Sequence, residues 1–102
     1  MDIKIDELII EEDRSAHIAR YNVTVDEVGE VVKGDYVFIA GKHDRWILIG
    51  PTKKRKMLAI VVGRREKKNT YGLVATRPAH KKERYFYQEI KQIQGGELNE
   101  NN

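Results

Sequence analysis

Apolar and charged positions are interleaved in the first third of the chain, with no long apolar run. Residues 3–10 begin with alternation, which predicts a short strand or an extended lead-in. Residues 11–21 place apolar side chains at weak helical spacing, and Asn22 suits a left-handed C-cap because asparagine tolerates that backbone region. We therefore predict a short helix that ends just before Asn22.

A capping box marks the start of a second helix. Thr24 and Glu27 stand three residues apart, so the threonine hydroxyl and the glutamate carboxylate can each accept a hydrogen bond from a free backbone N–H. Gly34 is expected to end this helix. The apolar positions that the helix should bury are Val25, Val28 and Val32.

Apolar runs typical of strands occupy the middle of the chain. The second and third runs are nearly continuous, which predicts central strands covered on both sides. Residues 41–44 form a turn by composition. The predicted strands span residues 36–40, 45–50, 57–62 and 71–76.

A long helix is predicted after the last strand. Pro78 favours its first position, where the missing N–H would be unpaired in any case, and Arg77 before the proline is kept out of helical geometry. Residues 95–102 are polar and begin with two glycines, so we expect a disordered tail. The apolar stripe of the helix consists of Ala79, Phe86, Ile90 and Ile93.

These elements predict one α+β domain over residues 1–94. It contains two short N-terminal helices, an antiparallel meander of three to four strands and a long C-terminal helix. Such a domain places its helices on one face or at one end of the sheet.

Composition excludes several classes of protein. A chain of 102 residues without cysteine has no disulfide framework, no thiolate zinc site and no cysteine nucleophile. No apolar run approaches the ~20 residues of a membrane span, so we expect a soluble cytoplasmic domain that does not bind a membrane. His17, His43 and His80 are too widely spaced for a metal motif, and neither a metal nor another cofactor is expected.

Charge is divided unevenly along the chain. Residues 1–50 carry 6 Lys/Arg against 11 Asp/Glu, a net charge of −5, and residues 51–102 carry 13 against 5, a net charge of +8. The basic half can attract a polyanion over a long range. A solvated surface whose lysines only maintain solubility is the alternative.

The meander predicts where the basic residues meet. Alternate loops of an antiparallel sheet lie at the same end, so the turn 51–56 should lie beside the start of the last helix. Arg65 belongs to the loop at the opposite end. The basic residues expected to contact phosphate are Lys53, Lys54, Arg55, Lys56, Arg65, Lys81 and Lys91.

One face of the last helix combines cations with an aromatic ring. His80, Arg84, Tyr87 and Lys91 share this face, which suits RNA because cations neutralise phosphates and aromatic rings stack on unpaired bases. A solvated face with Glu83 as a local ion-pair partner fits the same pattern.

Several segments, in order along the chain, resemble the BrnT-like toxin family of bacterial type II toxin–antitoxin systems. The strand 45–50 is similar to the family's Arg-aromatic-Ile-x-Ile-Gly, and the segment from residue 74 onward is similar to its closing Ile-Ser-Ala-Arg-x-Ala…Glu-Arg…Tyr pattern. The segments that carry the resemblance are residues 17–28, 45–50, 57–62 and 74–79, followed by Glu83, Arg84 and Tyr87.

The resemblance implies a RelE-like fold and an endoribonuclease that inhibits translation without a metal. It also implies a small DNA-binding antitoxin as protein partner. Four shared positions of the family fall on Arg77, Glu83, Arg84 and Tyr87, and Arg45 and Arg65 lie on or beside the matching strands.

Roles for these residues follow from what RNA cleavage requires. Arg77 and Arg84 can clamp the scissile phosphate with their guanidinium groups, and His80 is the best candidate for an acid or base because histidine is the residue type whose unperturbed pKa is near neutrality. Tyr87 can stack on a base or donate a proton, and Glu83 can act as a base or orient Arg84. The candidate catalytic residues are therefore Arg77, His80, Glu83, Arg84 and Tyr87.

Two other functions fit the sequence. The segment 20–22 lacks the histidine of the family, which favours a non-catalytic RNA-binding or protein-interaction module on the same fold, either a decayed toxin or a small domain of another kind. The acidic first helices can instead be a contact surface within a larger assembly or a homo-oligomer. Cleavage of RNA favours the ribonuclease, RNA binding without cleavage favours the non-catalytic module, and self-association favours the contact surface.

Overall fold

The computed structural model describes residues 3–100, with side chains described for residues 3–94. Its elements follow the predicted order of two helices, a group of strands and a long helix. They are β1 (Glu7–Ile9), α1 (Glu12–Ala19), α2 (Val25–Lys33), β2 (Val37–Ala40), β3 (Arg45–Pro51), β4 (Met57–Arg64), β5 (Thr70–Pro78) and α3 (Lys81–Glu100).

One mixed sheet organises the molecule, with the strand order β1-β5-β4-β3-β2. The four strands from β2 to β5 form the predicted antiparallel meander, and the α+β class is confirmed. The described sheet has five strands rather than three to four, because the lead-in forms β1 and pairs in parallel with β5.

Helix α1 ends as the sequence predicts. Asn22 lies in the left-handed region with φ 59°, which turns the chain toward α2. Ile18 is the buried residue of α1, and its side chain anchors this short helix to the sheet.

Helix α2 has both halves of the predicted capping box, since the Thr24 hydroxyl accepts from the Glu27 N–H and the Glu27 carboxylate accepts from the Thr24 N–H. The predicted buried stripe is wrong in part, because Val28 and Val31 are fully buried whereas Val25 is 41% exposed. At 100° per residue, Val25 lies about a quarter turn from the centre of the side that meets the sheet.

Helix α3 begins at Lys81, three residues later than the position predicted from Pro78. Pro78 is the last residue of β5, where it pairs with Leu58, and the Ala79 N–H still donates to the Met57 carbonyl. A proline is tolerated there because β1 pairs only with residues 70–72, so no strand needs an N–H from residue 78.

The helices cover both faces of the sheet, not one face or end as predicted. Helices α1 and α2 pack on one face, and α3 packs on the other through Phe86 and Ile90. Burial of consecutive residues in β4 explains this arrangement, because an apolar run exposed on either face of a central strand would be unfavourable. The buried run of β4 consists of Leu58, Ala59 and Ile60.

The far part of α3 differs from the sequence prediction in two respects. Ile93, expected in the buried stripe, is 59% exposed because the helix has passed the sheet at that point. Residues 95–100, predicted to be disordered, have helical backbone. Each glycine costs a helix only about 1 kcal/mol relative to alanine, so two of them do not have to end it. Residues 101–102 lie outside the described residues.

Candidate functional site

The junction between β5 and α3 brings together several predicted site residues. Arg77, near the end of β5, donates two parallel hydrogen bonds from its guanidinium to Glu83, at 2.7 Å to Oε1 and 2.9 Å to Oε2. Arg77 also donates to the Pro78 carbonyl at 3.2 Å. The Glu83 carboxylate additionally accepts from the backbone N–H of His80 at 2.7 Å, which closes the first turn of α3.

This ion pair fixes the protonation state of Glu83. The hydrogen bonds from Arg77 hold the pKa of Glu83 below its ordinary value against the opposing effect of burial, and the His80 N–H acts in the same direction. The same contact raises the pKa of Arg77. Glu83 therefore remains an anion that positions Arg77, and it pairs with Arg77 rather than with Arg84.

Arg84 and His80 are the accessible groups of this junction. Arg84 donates from one guanidinium nitrogen to the Ala79 carbonyl at 2.8 Å, which holds its side chain against the start of α3. Arg84 and His80 are both exposed to solvent, and 36% of the Arg77 side chain is exposed. We call Arg77, His80 and Arg84 the cationic rim.

Tyr87 and Lys91 contact a different carboxylate. The Tyr87 hydroxyl donates to Asp35 Oδ2 at 2.8 Å, and the Lys91 ammonium pairs with Asp35 Oδ1. Burial, followed by the hydrogen bond to Asp35, raises the pKa of Tyr87 to about 12. This phenol retains its proton and joins α3 to the chain before β2.

The turn 51–56 lies at the end of the sheet where β5 leads into α3, as the meander predicts. Its Lys53, Lys54 and Arg55 are exposed, and the positive charge of Arg55 acts on Tyr87 of α3. Lys56 turns toward α2 instead, where its ammonium contacts the Asn22 carbonyl and lies 3.6 Å from a Glu27 carboxylate oxygen.

Arg65 lies at the opposite end of the sheet, beyond β4. Its guanidinium donates to Glu11 at 2.8 Å, before the first turn of α1. Lys81 is exposed at the start of α3. Four of the seven predicted phosphate-binding residues therefore lie at the end of the sheet that carries the rim, namely Lys53, Lys54, Arg55 and Lys81. Arg65 lies alone at the opposite end, Lys56 is turned toward α2 and Lys91 is paired with Asp35.

The sequence analysis missed the carboxylates that organise these cations. Asp35 stands 52 positions from Tyr87, and Glu11 stands 54 positions from Arg65. Neither belongs to a motif, so only the folded chain brings these partners together.

A groove of about 1130 Å³ lies between the N-terminal segment and α2, with Ile5, Leu8, Val25 and Gly29 among its walls. It extends to Lys53 of the turn 51–56, and neither Arg77, His80 nor Arg84 lines it. Among the described side chains, those of residues 3–94, no three His, Asp or Glu residues are arranged to hold a metal ion. Within the same part of the chain, no helix has the length and apolarity of a membrane span.

Comparison with solved structures gives a likeness in fold. No protein-family model and no curated protein sequence matches the chain. The crystal structure of the Brucella abortus ribonuclease toxin BrnT is similar, with a TM-score of 0.58 and 18% sequence identity, over 74% of this chain and 97% of that chain. The two chains share a fold, as the sequence resemblance predicts.

Proposed function

We propose that this chain is a cytoplasmic endoribonuclease, the toxin of a type II toxin–antitoxin system, and that the cationic rim is its active site. One observation carries the proposal. A fold shared with a ribonuclease toxin presents two arginines and an exposed histidine at a single strand–helix junction. The basic second half of the chain and the exposed turn 51–56 support an anionic substrate.

The chemistry of the rim suits attack by a ribose 2′-hydroxyl. The 2′-oxygen forms a bond to phosphorus, the bond from phosphorus to the 5′-oxygen breaks, and the products are a 2′,3′-cyclic phosphate and a 5′-hydroxyl. Donors placed around the phosphate stabilise the charge that develops on it. Arg84 retains free guanidinium nitrogens for this role, and Arg77 contributes its exposed edge.

His80 is the proton-transfer group in this scheme. His80 is exposed, and its backbone N–H donates to the same Glu83 carboxylate that binds Arg77. His80 can remove the proton of the 2′-hydroxyl, with water protonating the leaving 5′-oxygen, or it can protonate the 5′-oxygen while water accepts the 2′-proton. Glu83 positions Arg77, since its oxygens already accept from Arg77 and from the His80 N–H.

Cleavage of RNA by variants of the rim tests the proposal. We expect His80→Ala and Arg84→Ala each to lower the cleavage rate of purified protein by about 100-fold or more, the usual effect of removing a proton-transfer group or a phosphate donor. Lys82→Ala is the matched control, because Lys82 is exposed on the same turn of α3. Intact RNA with the unaltered chain, or equal rates in all variants, would contradict the proposal.

A small DNA-binding antitoxin is the partner that this function requires. We expect that expression of the chain alone arrests growth, and that co-expression of the product of the neighbouring reading frame restores it. The purified pair should elute as one complex in size-exclusion chromatography. Normal growth with the chain alone, accompanied by intact cellular RNA, argues against a toxin.

A non-catalytic RNA-binding module on the same fold is the second candidate. The pairing of Arg77 with Glu83 and of Tyr87 with Asp35 favours it, because both side chains have intramolecular partners. This candidate predicts salt-sensitive RNA binding without cleavage products. A cyclic phosphate terminus on the products, detected by mass spectrometry, excludes it.

A further inference from the structure

The face of the sheet beneath α3 is covered over only part of its length. Paired residues of neighbouring strands share a face, so the register defines rows across β3, β4 and β5. The first row consists of Ile49, Ala59 and Arg77 and lies beside α3, and its Ile49 and Ala59 are buried. The next row, of Ile47, Val61 and Ala75, is partly exposed, and the last row contains Arg45, Gly63 and Gly72.

The last row forms a recess edged by arginines. Gly63 has no side chain, and the Arg65 guanidinium occupies the space that a side chain at position 72 would take. Arg45, exposed at the start of β3, lies on the other side of Gly63. We call this the Gly63 recess. Its floor is the backbone of Gly63, with Val74 Cγ2 3.6 Å from the position that a Cβ would take there, and its two walls are the Arg65 guanidinium and the Arg45 side chain.

These walls suit a nucleotide of single-stranded RNA. Unpaired bases stack on guanidinium planes as well as on aromatic rings, and Arg65 presents such a plane held in place by Glu11. Arg45 has no carboxylate partner among the described side chains, so its charge is available to a phosphate. Val61 and Ala75 lie between the recess and Arg77 and are partly exposed, so a bound RNA strand can contact an apolar surface there.

We propose that the Gly63 recess is a nucleotide-binding subsite, in which one base lies on the backbone of Gly63 against Arg65 and the adjoining phosphate pairs with Arg45. The inference rests on the proposed function, since RNA is the substrate there. The recess row and the row of Arg77 are four residues apart along β4, or about 14 Å. The subsite therefore holds a nucleotide distant from the one that is cleaved.

Filling the recess tests the subsite directly. A Cβ at position 63 meets only Val74 Cγ2 at 3.6 Å and Arg45 Cγ at 3.9 Å, which are ordinary contacts, and valine is favoured in strands. Gly63→Val should therefore fold. We expect it to weaken binding of a single-stranded RNA with 2′-O-methyl riboses, which cannot be cleaved, by roughly 5- to 150-fold, the range that base stacking supplies.

The arginines give a second readout in the salt dependence of binding. Arg45→Gln should reduce the slope of log affinity against log salt by about 0.7, the value for one contact between a cation and a single strand. Arg64→Gln is the control, because it removes the same charge beside the recess from a position paired with Tyr71, on the other face.

The outcomes separate this inference from the proposed function. Unchanged binding by Gly63→Val, an equal change of slope in Arg45→Gln and Arg64→Gln, or no RNA binding by the unaltered chain overturns the subsite. Binding that depends on Gly63 and Arg45 without any cleavage supports the subsite and overturns the ribonuclease. If Gly63→Val cleaves RNA at the same rate as the unaltered chain, the proposed ribonuclease function stands and the subsite is rejected.

Discussion

At the scale of single residues, Glu83 positions the groups of the cationic rim. Its carboxylate accepts two bonds from the Arg77 guanidinium and one from the His80 N–H, so a single anion orients one cation and closes a helix. An acidic residue in the first turn also interacts favourably with the positive end of the helix dipole. The geometry of the rim depends on this carboxylate even though it transfers no proton in the proposed reaction.

The depressed pKa of Glu83 makes its contribution dependent on pH. A carboxyl group with a lower pKa in the folded state stabilises the fold above its unfolded pKa, and that stability is lost as pH falls through the folded value. Glu83→Gln should lower the free energy of unfolding at pH 7 by about 1 kcal/mol, a modest figure because Arg77 is partly exposed. Thermal melts should show the difference beginning to shrink near the unfolded-state pKa of about 4.3 and disappearing once the pH falls below the lowered pKa of Glu83 in the folded protein.

Glu89→Gln is the matched control for that measurement. Glu89 is exposed on the same helix, and no ion pair of Glu89 occurs among the described side chains. A loss of stability with Glu89→Gln equal to that with Glu83→Gln would show that net charge, not the contact with Arg77, is responsible.

At the scale of elements, α3 is held at two places. Phe86 and Ile90 pack on Val37 and Ile49, and Tyr87 with Lys91 connects the helix to Asp35. The chain before β2 therefore restrains the helix that carries the rim. A helix anchored in this way keeps Arg84 close to Arg77.

Substitution of Tyr87 distinguishes a tether from a catalytic group. Because its hydroxyl donates to Asp35 and its pKa is raised to about 12, Tyr87 is a poor proton donor at neutral pH. Tyr87→Phe should retain RNA cleavage within a few-fold and lose about 1 kcal/mol of stability, the net value of one hydrogen bond. A fall in cleavage as large as that of His80→Ala, with the fold intact, would instead give Tyr87 a direct part in the reaction.

Sequence pattern predicted most elements because each has its own signal within a few residues. The capping box of Thr24 and Glu27, the left-handed Asn22 and the apolar runs of β3 and β4 all act locally. The start of α3 was misplaced because Pro78 is acceptable both in a first helical turn and at the end of a strand.

At the scale of the whole molecule, the unpredicted features depend on contacts between distant segments. The parallel pairing of β1 with β5 involves three residues on each strand, and the choice of sheet face for α3 depends on burial of β4 from both sides. The site shows the same division. The sequence placed the turn 51–56 beside the start of α3, but the pairing of Arg77 with Glu83 and of Tyr87 with Asp35 emerged only in three dimensions.

The docking of β1 beside β5 has a practical consequence for where a bulky label is attached. Lys4, just ahead of this strand, lines the same small pocket as Arg65, which is one wall of the Gly63 recess. A bulky label attached at Lys4 would therefore compete with the nucleic acid under assay. Helix α3 packs on Val37 of β2, at the opposite edge of the sheet, so a label attached at the exposed Ile93 leaves that approach unobstructed.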